Sequence, residues 1–488
     1  MSIAGLDCLL VSPSTVCRDS GNMWKEINSN FPPLGLASLA GYVREKGFSV
    51  KIIDGNIQCP FEEDFHHFFK ENFCDKFSDI KLIGFTTITC TIKKAFKMAK
   101  MCRQLYPNAL IVFGGVHATF MTDEVINNEC VDVVVKGEGE LTMHDLLSGK
   151  ALSDIPGICY KKQDKVFMTK PRERIIDLDA LPMPAYDLLP IGQYRPAKGS
   201  YKRLPAMSMM TSRGCPGRCT FCSKTLGNKL FFKSAKQIVK ELEYLIAHYK
   251  IKEILFYDDT FTVNKKNVME FCDLIIQKNI DVTWTCFARV DFITLEMLKK
   301  MKRAGCHQVM YGVENIDEEV RKNIKKHINV EQVVHATQWT KQVGIECRLA
   351  FMIGNPGDTK EIILKNIEFI NKLDPDILVV NITTPFPGTE MFAWAKAKGL
   401  ILTYDWDDYT LAKPVMRLEN LTEQEIHSLY NLMYKRFYLR PRFILKKALS
   451  IRNINDLGIL LGGFKAVLSF LGGSKKCIKA ADKEVISS

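Results

Sequence analysis

The sequence predicts an α/β protein built from two consecutive parallel-sheet domains and a helical, basic C-terminal region. Three observations carry this. Apolar runs of strand length are nearly continuous instead of alternating, as in strands buried on both faces. They alternate regularly with runs of helical period. The alternation occurs twice, either side of a proline-rich stretch, and 488 residues exceed one ordinary core. The expected boundaries are 1–150, a connector at 151–205, 206–390 and 391–488.

In the first domain the strand-like runs are Leu6–Val11, Ser49–Ile53, Lys81–Thr86, Ala109–Phe113 and Val131–Val135. Leu34–Glu45 and Lys93–Leu105 read as helices, with turns at Gly47 and Pro107–Asn108. A Rossmann-like doubly wound sheet follows, with its ligand at the carboxyl ends of the strands. Seven prolines between Pro156 and Pro205 break any period, so 151–205 reads as an ordered, extended connector. Six further strands come next: Ala206–Thr211, Glu253–Tyr257, Thr283–Ala288, Gln308–Val313, Glu346–Ile353 and Ile377–Thr383. Helices separate them at Ser234–His248, Lys265–Gln277, Leu295–Ala304, Val330–Val343 and Thr359–Leu373. Six such units fit a partial (β/α)6 TIM-like barrel, although an open doubly wound sheet gives the same spacing. Thr422 and Glu425 form a capping-box pair opening a helix through Phe437.

Composition narrows the class. Hydrophobic residues make up 47% and charged residues 25%, a globular balance. The N-terminus lacks a basic leader before its apolar run and reads as a buried strand, and no run is long enough for a spanning helix. Sixteen cysteines without an export signal argue for reduced thiols in the cytoplasm. Most, such as Cys8, Cys90 and Cys347, lie in apolar strand-like runs as small buried hydrophobes. Of the +12 formal charge, residues 435–488 supply +9.

The sharpest motif is S-R-G-C-P-G-R-C-T-F-C, from Ser212 to Cys222. Its C-x-x-x-C-x-x-C spacing puts Cys215, Cys219 and Cys222 in one loop after the first strand of the second domain, where barrel strands feed a catalytic face. Three thiolates can hold three corners of an iron–sulfur cubane and leave one iron open. Zinc is an alternative, but it takes four ligands and the next histidine is His248. A purely structural loop is the other.

These residues resemble the radical SAM superfamily, a partial-barrel family with this loop after its first strand. The resemblance implies a 4Fe-4S cluster whose open iron is chelated by S-adenosylmethionine (SAM), and cleavage of SAM to a 5′-deoxyadenosyl radical. It also implies an external low-potential electron donor and anaerobic conditions. Carried over position by position, the SAM-side candidates are Phe221 beside the adenine, Asp258 after the second strand and Arg289 after the third. Gly312 and Glu314 of Tyr311–Glu314 follow, near the methionine amino group, then Gly354 and Pro356 of the glycine-rich segment Met352–Gly357. Taken singly, these are ordinary strand-end turns and helix caps.

A Rossmann-like domain ahead of such a barrel resembles the cobalamin-binding branch of the family, which includes class B methyltransferases and the anaerobic magnesium-protoporphyrin ester cyclase. Cobalamin is the implied cofactor. Its candidate contacts are Pro33 and Leu34 before the first helix and Gly84 and Thr86 after the third strand. Gly114, Gly115 and His117 follow the fourth strand, and Gly137 and Glu138 the fifth. Small residues at strand ends let a large flat ligand approach the backbone. D-x-H-x-x-G is absent: Asp64-Phe65-His66 imitates its start, but Phe69 stands where glycine belongs, so a surface helix and a cobalt without protein histidine are expected.

The implied reaction is methylation of an unactivated carbon on a small-molecule or lipid-like substrate. Radical oxidative cyclisation is the alternative, and a cobalamin- or cluster-based sensor the alternative of another class. A sensor binds cofactors without SAM turnover. The basic, Leu/Ile/Phe-rich tail suits packing on its own domain or a membrane surface, with no nucleic acid expected.

Overall fold

A computed structural model of the chain describes residues 4–16, 29–74, 76–163, 165–197 and 199–449. The first domain centres on β1 (Ala4–Ser12), flanked in parallel by β2 (Val50–Asp54) and β3 (Phe77–Thr86). β4 (Leu110–Gly114) and β5 (Val133–Val135) continue the parallel sheet. The continuous apolar runs have a direct cause. Cys8 and Leu10 of β1 face one core with the Leu34–Glu45 helix, while Leu9 and Val11 face another with the Ile92–Leu105 helix. Strand order β2-β1-β3-β4-β5 reverses direction at β1, the doubly wound arrangement expected. Residues 158–168, expected in the extended connector, instead form β6 (Ile158–Lys162) and β7 (Lys165–Met168), antiparallel strands that lengthen this sheet. They escape a sequence reading because both are short, five and four residues, and lie between the helix-breaking Pro156 and Pro171, with Val166, Phe167 and Met168 of β7 left exposed.

The second domain has β8 (Ala206–Met209), a small hairpin of β9 (Ser212–Arg213) and β10 (Phe231–Phe232), then β11 (Glu253–Phe256), β12 (Thr283–Ala288), β13 (Cys306–Glu314), β14 (Glu346–Ile353) and β15 (Ile377–Ile382). The six long strands are all parallel and stand in sequence order from β8 to β15. Unreversed order is that of a barrel wall, which decides between the two topologies that spacing left open.

An incomplete barrel leaves the outer edge of β15 without a strand partner among the described residues, although Ile382 N donates to Leu411 O at 2.8 Å. The Glu423–Tyr438 helix, opened by the Thr422–Glu425 capping box, covers that edge. Tyr434 Oη accepts from Val380 N and donates to Val380 O, both at 3.0 Å. Tyr438 Oη does the same with Leu378, at 3.3 and 2.8 Å. Residues 384–418 tie the domains together: Lys93 pairs with Asp405 at 2.5 Å, and Trp406 Nε1 donates to Glu124 at 2.8 Å. The tail expectation for 450–488 lies outside the described residues. Among those described, no helix is long and apolar enough to cross a membrane.

Candidate functional site

The cysteine loop is fixed at both ends. After β8 the chain passes through Gly214 at φ +97°, where a Cβ would lie 2.3 Å from Lys229 O, so only glycine fits. Asp258, at the end of β11, accepts from Thr211 N (2.8 Å), Thr211 Oγ1 (3.1 Å) and Ser212 Oγ (2.5 Å). Burial raises its carboxyl to about 6 against these hydrogen bonds. Asp258 thus clamps the root of the loop. Farther along, Thr220 N donates to Ile324 O and Met391 N to Thr220 O, at 3.0 and 2.9 Å.

The three thiols share one loop, and a methyl added at Gly217 would lie 3.4 Å from Cys215 Sγ, 3.9 Å from Cys219 Sγ and 3.3 Å from Arg289 Nη1. None of the described cysteines forms a disulfide. Among the described residues no three His, Cys, Asp or Glu side chains converge on a single ion. A cubane does not ask for that, since each thiolate binds its own iron corner. Burial pushes the Cys222 thiol up to about 12, with Asp259 and the neighbouring cysteines adding to it. Burial also raises Cys219, opposed by Lys326 and Arg289. Thiols so placed become thiolates when a bound metal supplies compensating charge. The donor set fits a cluster.

Around the loop stand the other strand ends. Arg289 is oriented by Asp291 through Nε (3.0 Å) and Nη2 (2.9 Å), and donates to His327 O at 3.2 Å. Glu314 has φ +68°, unusual for a residue with a side chain, and pairs with Lys326 at 3.1 Å, both nearly buried. Gly354 N and Asn355 N donate to Asp358, which also accepts from Asn315 Nδ2 at 2.8 Å. Burial lifts this carboxyl to about 6. Pro356 lines a hollow with Thr220, Asn323 and Trp394. Phe221 and Trp394 both pack on the buried cluster of Ile324, Met391, Ala395 and Met416. Sequence reasoning passed over Lys326 and Asp358, because neither stands at a strand end and no local spacing marks them.

The second part of the site is a cleft at the carboxyl ends of β1, β3, β4 and β5. Leu34, Gly84, Thr86, Gly114, Gly115, Gly137 and Glu138 line it, together with Leu178, Pro182 and Tyr186. Gly115, at φ +94°, admits no side chain: a Cβ would lie 2.6 Å from Thr87 O. Two expected contacts fall elsewhere. Pro33 is not among the lining residues. His117 turns inward, 1% exposed, with its ring 5.3 Å from that of Trp406 and Nε2 3.7 Å from Glu124. No histidine lines the cleft among the described residues. The small, backbone-exposing lining fits a large flat corrinoid. Asp64-Phe65-His66 lies in the Glu62–Phe69 helix, Phe65 and Phe69 in the core and His66 exposed. Cys8 and Cys347 are buried as expected, whereas Cys90 is half-buried in the single turn Thr89–Thr91, not in a strand.

The two parts meet at Arg213, two residues before Cys215. Its guanidinium bridges Glu138 at 2.7 Å and Glu140 at 2.6 Å, and Glu140 also accepts from Ser38 Oγ at 2.9 Å. Burial alone would raise Glu140, but the charge and hydrogen bonds of Arg213 outweigh it and hold the carboxyl below its ordinary value. Arg213, Glu138 and Glu140 all line the cleft. The root of the cysteine loop therefore forms one wall of the first-domain cleft.

Comparison with known proteins agrees with this layout. The Radical SAM superfamily profile matches residues 209–370, and the B12 binding domain profile matches 24–147. An uncharacterized methyltransferase of Pyrococcus horikoshii is 38% identical over 446 residues, 90% of this chain and 94% of the relative. The anaerobic magnesium-protoporphyrin IX monomethyl ester cyclase of Rubrivivax gelatinosus is 27% identical over 433 residues, 86% of this chain and 76% of the relative. In fold, the cobalamin-dependent SAM radical enzyme OxsB matches with a TM-score of 0.72 at 17% identity, covering 96% of this chain and 72% of that one. The radical SAM methyltransferase TsrM of Kitasatospora setae matches with a TM-score of 0.65 at 18% identity, over 81% and 75% of the two chains. The chain belongs to the radical SAM superfamily, as an enzyme that uses a 4Fe-4S cluster and SAM, requires a reductant and a small-molecule substrate, and carries a B12-binding domain for cobalamin.

Proposed function

We propose that this enzyme methylates an unactivated carbon, with cobalamin as the methyl carrier. One observation carries the reading: Arg213 joins the cysteine loop directly to the Glu138–Glu140 loop, so the cluster side and the cobalamin side share a wall. The Pyrococcus relative, named as a methyltransferase, supports it. When bound, the cluster and SAM supply a radical able to remove hydrogen from an unactivated carbon, and cobalamin supplies the methyl group.

The residues of this chain bind and orient. Cys215, Cys219 and Cys222 would hold the cluster by three thiolates, one fewer than its iron corners, leaving room for SAM beside them. Glu314, held by Lys326, would accept from the SAM ammonium, and Arg289 sits beside the loop. Phe221, Gly354 and Pro356 would line the adenine side. Asp258 would act by positioning the loop, since its Oδ1 accepts from Thr211 N, Thr211 Oγ1 and Ser212 Oγ. In the cleft, glycines at 84, 114, 115 and 137 would let backbone approach a corrinoid, and no histidine lines the cleft among the described residues.

The test is anaerobic reconstitution with iron, sulfide, SAM and cobalamin, followed by assay of 5′-deoxyadenosine. Failure both to bind cobalamin and to form 5′-deoxyadenosine removes the reading. Oxidative cyclisation is the second reading, favoured by the Rubrivivax relative. Product mass separates them, since only methylation adds one methylene per event. Peripheral membrane contact draws support from Ile444 and Leu445, 43% and 61% exposed beside Arg442 on the Pro441–Leu449 helix. Co-sedimentation with anionic vesicles, weakened in Ile444→Asp/Leu445→Asp, checks it.

A further inference from the structure

We propose that the barrel lumen holds the substrate by an anionic end, a carboxylate or phosphoryl group paired with Arg348, and surrounds the rest of the molecule with apolar walls. The proposal rests on the radical SAM reading for its reaction, but its binding step stands separately.

Phe287, Met310 and Arg348 are register partners across β12, β13 and β14. They form one inward layer, a pleat repeat of about 7 Å below the layer of Gly312. A cavity of about 450 Å³ opens at this level, lined by Phe31, Tyr257, Phe287, Met310, Val379 and Arg348. That size and largely apolar lining suit a small molecule.

Arg348 is the charged residue in this lining, whose other polar members are Thr15, Ser29, Asn30, Ser200, Thr285 and Gln308. Among the described residues its Nη1 reaches only Gln308 Oε1, at 3.5 Å, and its Nε is buried with no hydrogen-bond partner. Gln308 is itself occupied, donating to Gly199 O at 2.9 Å and Glu346 at 3.1 Å. Among the described residues no carboxylate comes within ion-pair distance of Arg348. Burial pushes the guanidinium below its ordinary value, so the site is dry enough to penalise the charge. A buried cation without a counter-ion is expensive, and a fork of N–H donors facing a cavity matches a carboxylate or phosphoryl group bidentately. A ligand bearing such a group removes the cost. The reacting carbon then lies toward the Gly312 layer, away from the anion.

Equilibrium dialysis of the anaerobically loaded full chain, cluster and cobalamin in place, tests this with two probes. These are anilinonaphthalene sulfonate and its uncharged analogue phenylnaphthylamine. Arg348→Met should weaken the sulfonate at least tenfold and leave the amine unchanged, while Arg348→Lys retains most of the affinity. Iron and sulfide per chain show that each variant folds. In the unaltered protein, decanoate or decyl phosphate should displace the sulfonate where decanol does not, and the stronger of the two identifies the headgroup. This arm decides alone if Arg348→Met fails to load. Equal sulfonate affinity with and without Arg348, or displacement by decanol as effective as by the anions, overturns the proposal. No turnover is read, so a failed methyl-transfer assay with intact Arg348-dependent binding sinks the reaction and not this site.

Discussion

A methyl group on Gly312 would fall 2.5 Å from Glu314 Oε1 and 3.1 Å from Lys326 Nζ. The glycine thus leaves room for a buried acid–base pair at the end of β13. Gly312→Ala should displace Glu314 and raise the KM for SAM at least tenfold, as should Glu314→Gln, since hydrogen bonds to charged groups contribute about 1.5–3 kcal/mol. Steady-state formation of 5′-deoxyadenosine against SAM concentration checks both. At the same scale, Cys219→Ala should abolish the reducible cluster and SAM cleavage, whereas Cys347→Ala, deep in the barrel wall, should keep the cluster and alter only stability. Equal loss of cluster in the two would mean the wrong ligands. The cysteines and glycines were legible because their types are chemically restrictive and their spacing is short. Lys326, Arg213 and Arg348 were not. Lysine and arginine are ordinary on surfaces, and only the tertiary fold reveals that these three are enclosed.

Among the elements, the Glu423–Tyr438 helix deserves comparison with a missing strand. It cannot offer a backbone ladder to β15, but two tyrosine hydroxyls one turn apart each satisfy both the N–H and the C=O of a strand residue. Tyr434→Phe and Tyr438→Phe should each cost about 1–3 kcal/mol by leaving buried backbone groups unsatisfied, read as a fall in the denaturant midpoint at unchanged slope. The helix itself was legible from Thr422 and Glu425. Its docking was not, since tyrosines at this spacing look like any amphipathic face. Conversely β12 and β14 appear at their expected limits, because strands buried on both faces leave continuous apolar runs. The β6–β7 hairpin was missed because its strands are only five and four residues long and stand between Pro156 and Pro171.

For the molecule as a whole, the Arg213–Glu138–Glu140 bridge couples the domains, and its pH dependence has a defined sign. Glu140 is depressed in the fold, so its contribution is present above the ordinary carboxylate pKa and is lost as pH falls through its lowered value. The difference in thermal midpoint between the unaltered protein and Glu140→Gln should be largest near neutrality and shrink toward pH 4 or so. The two-domain plan was legible from the doubled alternation of strands and helices. The bridge was not, since it joins residues 73 positions apart in the chain. The whole account turns on whether the cysteine loop holds a cluster with one iron open to SAM. Electron paramagnetic resonance of the dithionite-reduced, oxygen-free protein, recorded with and without SAM, tests this most directly. The account expects a 4Fe-4S signal that changes shape when SAM is added. A cluster signal indifferent to SAM, or zinc in place of iron at Cys215, Cys219 and Cys222, would contradict it.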